Sequence, residues 1–509
     1  LPAFVAQAAP VVCATCHPQE TAQYLKSGMG QSLSAQPQLA DGTVRHTGSG
    51  STIAVKSQNR QMVHELTERG LTATYPVAYQ IGANRLGSSY IVKTGDYFFE
   101  SPASWFRAYG WDVSPGFGDA AVLDFDAPIN ETCLFCHAGN ARFAGNDGRR
   151  YIGPELTAIT CERCHGPAAE HVRHPSSGNV LNPSKLPQRA RDSVCEQCHL
   201  EGQERLLNPG KNWWDYQAGQ NLEDTIAVYV LRQGEKETRV VGHVDQLAQS
   251  QCARQSGGKL WCGTCHNPHR ETVNHQAEIR AICTACHAAP SKAAHPETVA
   301  ECTSCHMPKR SNTDISHVAI TDHRILRHPQ AVDAVTAIGD AALSAWVEPP
   351  SAFRDRDLGL AEVNVGIREK SRLIGQAGLR LLLAMPDSER RKDAVVLSTL
   401  GGLLLQQDKA EASLGLFQLS AAREPDSAQH ALYLAMALMG TGDSSKAEAE
   451  LKHAIELDPS FTQSYIELCT LYRSQGRAAE VQETLNRYLR WNPQSIAFRI
   501  LKQSTTEKQ

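Results

Sequence analysis

Two periodicities divide the chain. Between residues 41 and 100, Ser51–Lys56, Gln61–Thr67, Thr72–Gln80 and Ser89–Lys93 are rich in β-branched and aromatic residues and read as strands. Thr94-Gly95-Asp96 reads as a hairpin turn before Tyr97-Phe98-Phe99, so a small β-meander is predicted here. A shorter β pattern lies at Thr225–Val241. Beyond residue 358 the spacing becomes helical, as in the stripe Ala447, Leu451, Ala454 and Ile455. There the sequence repeats every 34 residues: Pro425, Pro459 and Pro493 are in register, as are Phe417, Leu451 and Leu485, and Gly442 with Gly476. Copies fall at about 392–425, 426–459 and 460–493, with a degenerate helix pair over 358–387. Pro329–Arg356, with Pro349-Pro350, reads as a linker. The predicted organisation is residues 1–330 with the β insertion at 41–100, a linker at 331–357, a helical-repeat domain at 358–500 and a tail at 501–509.

Period 34 with helix–turn–helix patterning is the tetratricopeptide signature. A generic helical bundle is the alternative, but the triple proline register favours a solenoid, whose units bury their faces only by stacking. Such arrays present a concave surface suited to docking a partner.

The 509 residues are enough for several domains. A net charge of −4 excludes a large basic field for nucleic acid, and no apolar run is long enough to span a membrane. Sixteen cysteines and twenty histidines change the picture. Fourteen of the cysteines fall in seven Cys-x-x-Cys-His motifs: Cys13-Cys16-His17, Cys133-Cys136-His137, Cys161-Cys164-His165, Cys195-Cys198-His199, Cys262-Cys265-His266, Cys283-Cys286-His287 and Cys302-Cys305-His306. This is the attachment signature of c-type haem: two thiols bond one edge of the macrocycle and the following His becomes the proximal iron ligand. Zinc knuckles have no reason to place His after every pair, and a thioredoxin-type pair occurs once. Covalent attachment takes place outside the cytoplasm, so a periplasmic or extracellular location is expected. Leu1 then follows a removed signal peptide. So many haems leave little room for a side-chain core. The predicted fold is mainly α, with little regular structure around stacked haems, a small β-meander after the first motif and a C-terminal α-solenoid. Of the two remaining cysteines, Cys469 reads as a small core residue. Cys252 reads as a buried thiol, a thiol for an external partner, or a neighbour of a haem.

Each iron also needs a sixth ligand or an open position; an open position means chemistry and a closed one electron transfer. Outside the motifs and the repeats stand His46, His64, His171, His174, His243, His269, His275, His295, His317, His323 and His328, and counting does not assign them. His430 and His453 lie in the repeats and read as surface or packing residues. Met29, in Lys26-Ser27-Gly28-Met29-Gly30, is a candidate thioether ligand, which would raise that haem's potential.

The stretches CERCHGPAAEH (161–171), CGTCHNPH (262–269) and CTSCHMPK (302–309), followed by His317 and Thr321-Asp322-His323, resemble the multihaem superfamily of hydroxylamine oxidoreductase and the haem nitrite reductases. The closer likeness is to multihaem cytochromes ending in tetratricopeptide repeats. It takes in Ser114-Pro115-Gly116-Phe117 and the span from His243 through Cys252 to Cys262. The resemblance implies that His171 and His269 are distal ligands, each to a haem other than the one bound just before it. It points to His243 and His323 similarly, and more weakly to His317 and His46. Two departures stand out: Met29 where relatives have a Ser-x-His context, and no His in Ile81–Tyr90 (IGANRLGSSY).

Two functions follow. The first is an electron-transfer cytochrome passing electrons between redox partner proteins, with self-assembly into an oligomer or filament as a variant of it. The second is a haem enzyme acting on a small nitrogen or sulfur compound at a five-coordinate haem. No catalytic constellation or Cys-x-x-Cys-Lys motif is present, so no catalytic residue is assigned and the first reading leads.

Overall fold

The structure is a computed structural model describing residues 9–37, 41–145, 147–231, 241–270, 276–287, 301–312, 315, 317–327 and 342–506. Its N-terminal half holds far more sheet than the alternation predicts. Twelve antiparallel strands form one sheet, whose main path runs Arg142–Ala144, Arg150–Gly153, Tyr97–Glu100, Gly87–Thr94, Leu71–Ile81, Gln61–Glu68, Thr52–Gln58, Gly42–Arg45. The expectation of little regular structure with a small meander is corrected here: the sheet reaches from Leu33 to Gly153. The added strands, such as Ala103–Phe106 and Ala127–Ile129, are two to four residues long, too short to show alternation.

Turn chemistry sets the register. Gln58 pairs with Gln61 and Glu68 with Leu71, leaving Asn59-Arg60 and Arg69-Gly70 as two-residue loops. All four residues take positive φ, as the type I′ turn matched to strand twist requires. One face buries Ile53, Leu66, Ala73, Tyr75, Val92 and Phe99 beneath Phe117, Leu123 and Phe125, and Ile496 of the C-terminal helix joins the same core.

A second sheet pairs Glu204–Leu207, Ile226–Leu231 and Leu343–Ala345. Its last strand lies within the predicted linker, which is therefore a structural element where described: Tyr229 pairs with Ala345 and Leu231 with Leu343. Helix Arg354–Arg368 then packs Ala361 and Val365 onto Ala227, Tyr229 and Leu343. Its partner, Arg372–Ala384, approaches so closely that a Cβ on Gly378 would lie 2.5 Å from the carbonyl oxygen of Gly359.

The helices Ala394–Leu405, Ala410–Arg423, Ala428–Gly440, Ser444–Leu457, Thr462–Ser474, Ala478–Trp491 and Ile496–Thr506 continue the array. Between the helices of successive pairs the chain turns through a positive φ at Asp408, Gly442 and Gly476, 34 residues apart. Phe417, Leu451 and Leu485 are fully buried in the shared core of the array.

The 34-residue register does a second job. The entries to three alternate helices meet polar groups of the N-terminal half. Asp147 accepts from Ser427 Oγ (3.0 Å) and the Ala428 amide (3.1 Å). Arg149 pairs with Asp458 and donates to Ser460 Oγ (3.0 Å). Asp124, 3% exposed, accepts from Ser495 Oγ (2.5 Å) and the Ala497 amide (3.0 Å). Borrowed carboxylates thus cap helix N-termini and complement their positive dipole ends. Replacing Asp124 with Ala strips the cap and leaves Ser495 buried without its acceptor. This should cost about 2 kcal/mol, read as a lower urea midpoint for the repeat region, and Asp124→Asn should cost less.

Candidate functional site

Each motif is one helical turn. The amide of His17 donates to Cys13 O (2.8 Å), His165 to Cys161 O (2.9 Å), His266 to Cys262 O (2.9 Å) and His287 to Cys283 O (2.9 Å). Positions i, i+3 and i+4 of such a turn share one face, so both sulfurs and the imidazole project together. In the second motif Asn130 caps the turn, its side chain accepting from the amides of Thr132 and Cys133.

All seven turns line one continuous cavity of about 3650 Å³, with every motif Cys and His on its wall. An ordinary small-molecule pocket is roughly 300–1,000 Å³, so this space suits several large groups. All sixteen cysteines are free thiols, in keeping with attachment chemistry and not with a disulfide framework. Thiols of different motifs lie near enough to influence one another: Cys13 with Cys161, Cys136 with Cys198, Cys195 with Cys262, and Cys283 with Cys302.

Facing the motif histidines are imidazoles from elsewhere in the chain. His17 and His171 lie parallel, with ring centroids 6.3 Å apart and planes 19° from each other. His165 and His269 stand at 5.7 Å and 20°, their Nε2 atoms 3.4 Å apart. His266 and His323 are separated by 6.2 Å at 29°, and His199 and His243 by 5.6 Å with perpendicular rings. Two imidazoles on one metal, each bonded at about 2.0–2.1 Å, hold their nitrogens about 4 Å apart, near the 3.4 Å between Nε2 of His165 and Nε2 of His269. Nδ1 is tethered in several: His165 donates to Leu181 O (2.7 Å), His306 to Leu326 O (2.7 Å), His171 to Ser176 O (3.0 Å) and His323 to Thr321 O (2.8 Å). A carbonyl only accepts, so Nδ1 carries the proton and Nε2 keeps the lone pair a metal needs. Burial favours the neutral ring at His137, His199, His243, His269 and His323. It lowers His137 to about 4, aided by His199, and His243 to about 3, aided by His323 and its neighbours. These residues fit c-type haem.

Not every predicted ligand reaches the cavity. His46 spends both nitrogens on protein, Nδ1 with Ser49 Oγ (2.8 Å) and Nε2 with Gly118 O (2.9 Å). His317 gives Nε2 to Asp112 (2.7 Å) and stacks on Tyr109 at 4.0 Å. Neither lines the space. His64 is buried in the large sheet against Ser101, and His174 is exposed beside Glu170. His275, His295 and His328 lie outside the described residues. Met29 does line the cavity, and its turn is anchored at the second motif: Ser32 N donates to Met29 O (3.1 Å) and Ser32 Oγ to His137 O (2.8 Å). Cys252 also lines it and acts electrostatically on Cys283, whereas Cys469 is buried in the repeat core. Sequence reasoning missed Tyr24, which lines the same wall and donates to Ile159 O (2.7 Å), and the half-buried Arg163 and Arg205. Arg163 stands inside the third motif, which was the available signal.

Residues 119–166, which span the second and third motifs, match the family of cytochrome c554 and c-prime, and residues 438–504 match the tetratricopeptide repeat family. No curated relative matches the chain. Among solved structures, the array is similar to the first TPR of Spaghetti bound to an HSP90 peptide (17% identity, 23% of this chain and 96% of that one, TM-score 0.21). It is also similar to a TPR protein of Thermus thermophilus (18%, 30% and 80%, 0.25) and the TPR2AB domain of yeast Sti1 (18%, 30% and 66%, 0.21). The chain thus carries a cytochrome c segment, which implies c-type haem, together with tetratricopeptide repeats. His243→Ala should change the visible absorption spectrum of the purified protein, whereas His46→Ala and His317→Ala should leave it as it is.

Proposed function

We propose that the protein is an extracytoplasmic electron-transfer cytochrome holding seven covalent haems, one on each motif. The observation that carries this reading is the single cavity lined by all seven attachment turns and by four facing pairs of imidazoles. When bound, each haem supplies a one-electron iron couple. The chain's residues do the rest. Motif sulfurs anchor, motif histidines ligate from one side, and His171, His243, His269 and His323 close the other side at the first, fourth, third and fifth motifs respectively. Met29 is assigned to the second motif through the Ser32 tether.

The thiol contacts order the motifs: first beside third, fourth beside fifth, sixth beside seventh, and second beside fourth. Weaker electrostatic neighbours, Cys164 with Cys195 and Cys265 with Cys283, join these into a path 1–3–4–5–6–7 with the second motif as a side branch at the fourth. Cys16, Cys286 and Cys305 are exposed, so both ends of the path reach the surface, where redox partners exchange electrons. The repeats then serve as the docking wall for such a partner or for another copy of the chain.

Intact mass should show seven haem additions. The oxidised protein should give low-spin paramagnetic resonance signals at the paired motifs. A stoichiometric high-spin signal in the native protein would move the reading to an enzyme with an open iron. His171→Ala should convert one haem to high spin. Met29→Ala should lower one potential or open one iron to carbon monoxide, and an unchanged redox titration would remove Met29 from the ligand set.

A further inference from the structure

Two guanidinium groups stand in the cavity wall without a counter-ion. Arg163 lies over the Phe135 ring at 4.4 Å and over Trp214 at 4.9 Å. Arg205 lies over Trp213 at 5.3 Å and on Phe135 at 5.9 Å. Both are half-buried, yet neither meets a carboxylate among the described residues. Arg163 donates to Phe135 O (2.8 Å) and Arg205 to Gln197 O (2.9 Å), neutral backbone oxygens in both cases. The Nε of each is buried with no partner. A cation in such a wall is costly unless something compensates it, and stacking on aromatic faces compensates only in part.

Their position gives the arrangement a purpose. Arg205 Nη1 is 3.8 Å from Cys136 Sγ, and Cys136 lies beside Cys198. Phe135 and Gln197, whose carbonyls hold the two groups, each immediately precede one of those cysteines in the chain. The charges therefore sit where the second and fourth motifs touch, the branch point of the path above. Ferric haem carries one more positive charge than ferrous haem. A fixed cation in a poorly solvated site disfavours the ferric form, and the effect falls with distance.

We infer that Arg163 and Arg205 raise the reduction potentials at the second and fourth motifs, so that the branch point holds electrons in preference to the other sites. The inference rests on the proposed function. The aromatic frame of Phe135, Trp213 and Trp214 holds the guanidiniums in place beside the two motifs. Met29 at the second motif would act in the same direction.

The test uses the full-length, matured protein in three forms: native, Arg163→Gln/Arg205→Gln, and Arg163→Lys/Arg205→Lys. Intact mass is recorded first; a native protein without haem would sink the proposed function itself, separately from this inference. Redox titration resolved by spectroscopy then reads each potential. In the glutamine pair, two of the seven potentials should fall, each by at least a tenfold change in the one-electron equilibrium constant, about 59 mV. The lysine pair, which keeps charge but loses stacking and the fork of donors, should retain most of the native values. If the glutamine pair fails to mature, Arg205→Gln alone should lower the same two potentials by a smaller amount. Unchanged potentials, a drop spread evenly over all seven, or a lysine pair that behaves like the glutamine pair would each overturn the inference.

Discussion

The structure depends on a constraint of volume: half of the chain builds walls around a space it does not fill with its own side chains. An interior packed to ordinary density leaves few voids larger than a water molecule. Here one cavity of about 3650 Å³ touches every motif. Stability must therefore come from elsewhere, and two solid bodies supply it. One is the sheet core around Ile53, Leu66 and Phe99; the other is the repeat core around Phe417, Leu451 and Leu485. The motif turns lie between them: the fourth ends the twelve-residue helix Gln188–His199, and Leu134 and Phe135 of the second are fully buried.

That division explains how the repeats are attached. A solenoid tethered by a flexible linker would leave the cavity wall free to move. Instead, the strand Leu343–Ala345 and helix Arg354–Arg368 knit the start of the array to the second sheet, and Asp147, Arg149 and Asp124 hold the entries of three later helices. At two of these entries, 68 residues apart, an aspartate accepts from a serine hydroxyl and a helix amide; at the middle one Arg149 meets Asp458 and Ser460 instead. Ile496 reaches into the sheet core, so the two solid bodies share apolar burial as well as polar contacts.

What the sequence disclosed follows the same physics. The seven Cys-x-x-Cys-His turns and the 34-residue register were legible because each depends on local spacing, and Gly442, Gly476 and the prolines mark positions where the backbone permits few residues. The extent of the sheet was not legible: strands such as Arg142–Ala144 and Ala127–Ile129 are defined by their partners, not by their own pattern. Nor was the fate of each histidine. His46 and His171 look alike as letters. They differ because a serine and a carbonyl take both nitrogens of one, while Ser176 and Asn179 take only Nδ1 of the other and leave its ring facing His17.

The pairing of imidazoles carries a consequence for folding and function together. His171 follows the third motif but faces the first; His269 follows the fifth but faces the third; His323 follows the seventh but faces the fifth. Each later segment thus closes a site begun earlier in the chain. A metal held by two distant residues removes the freedom of the loop between them, and the free energy of binding becomes free energy of folding. Under the proposed function, these long-range pairs would do what a side-chain core does elsewhere: they would make the order of the motifs in space a condition of stability.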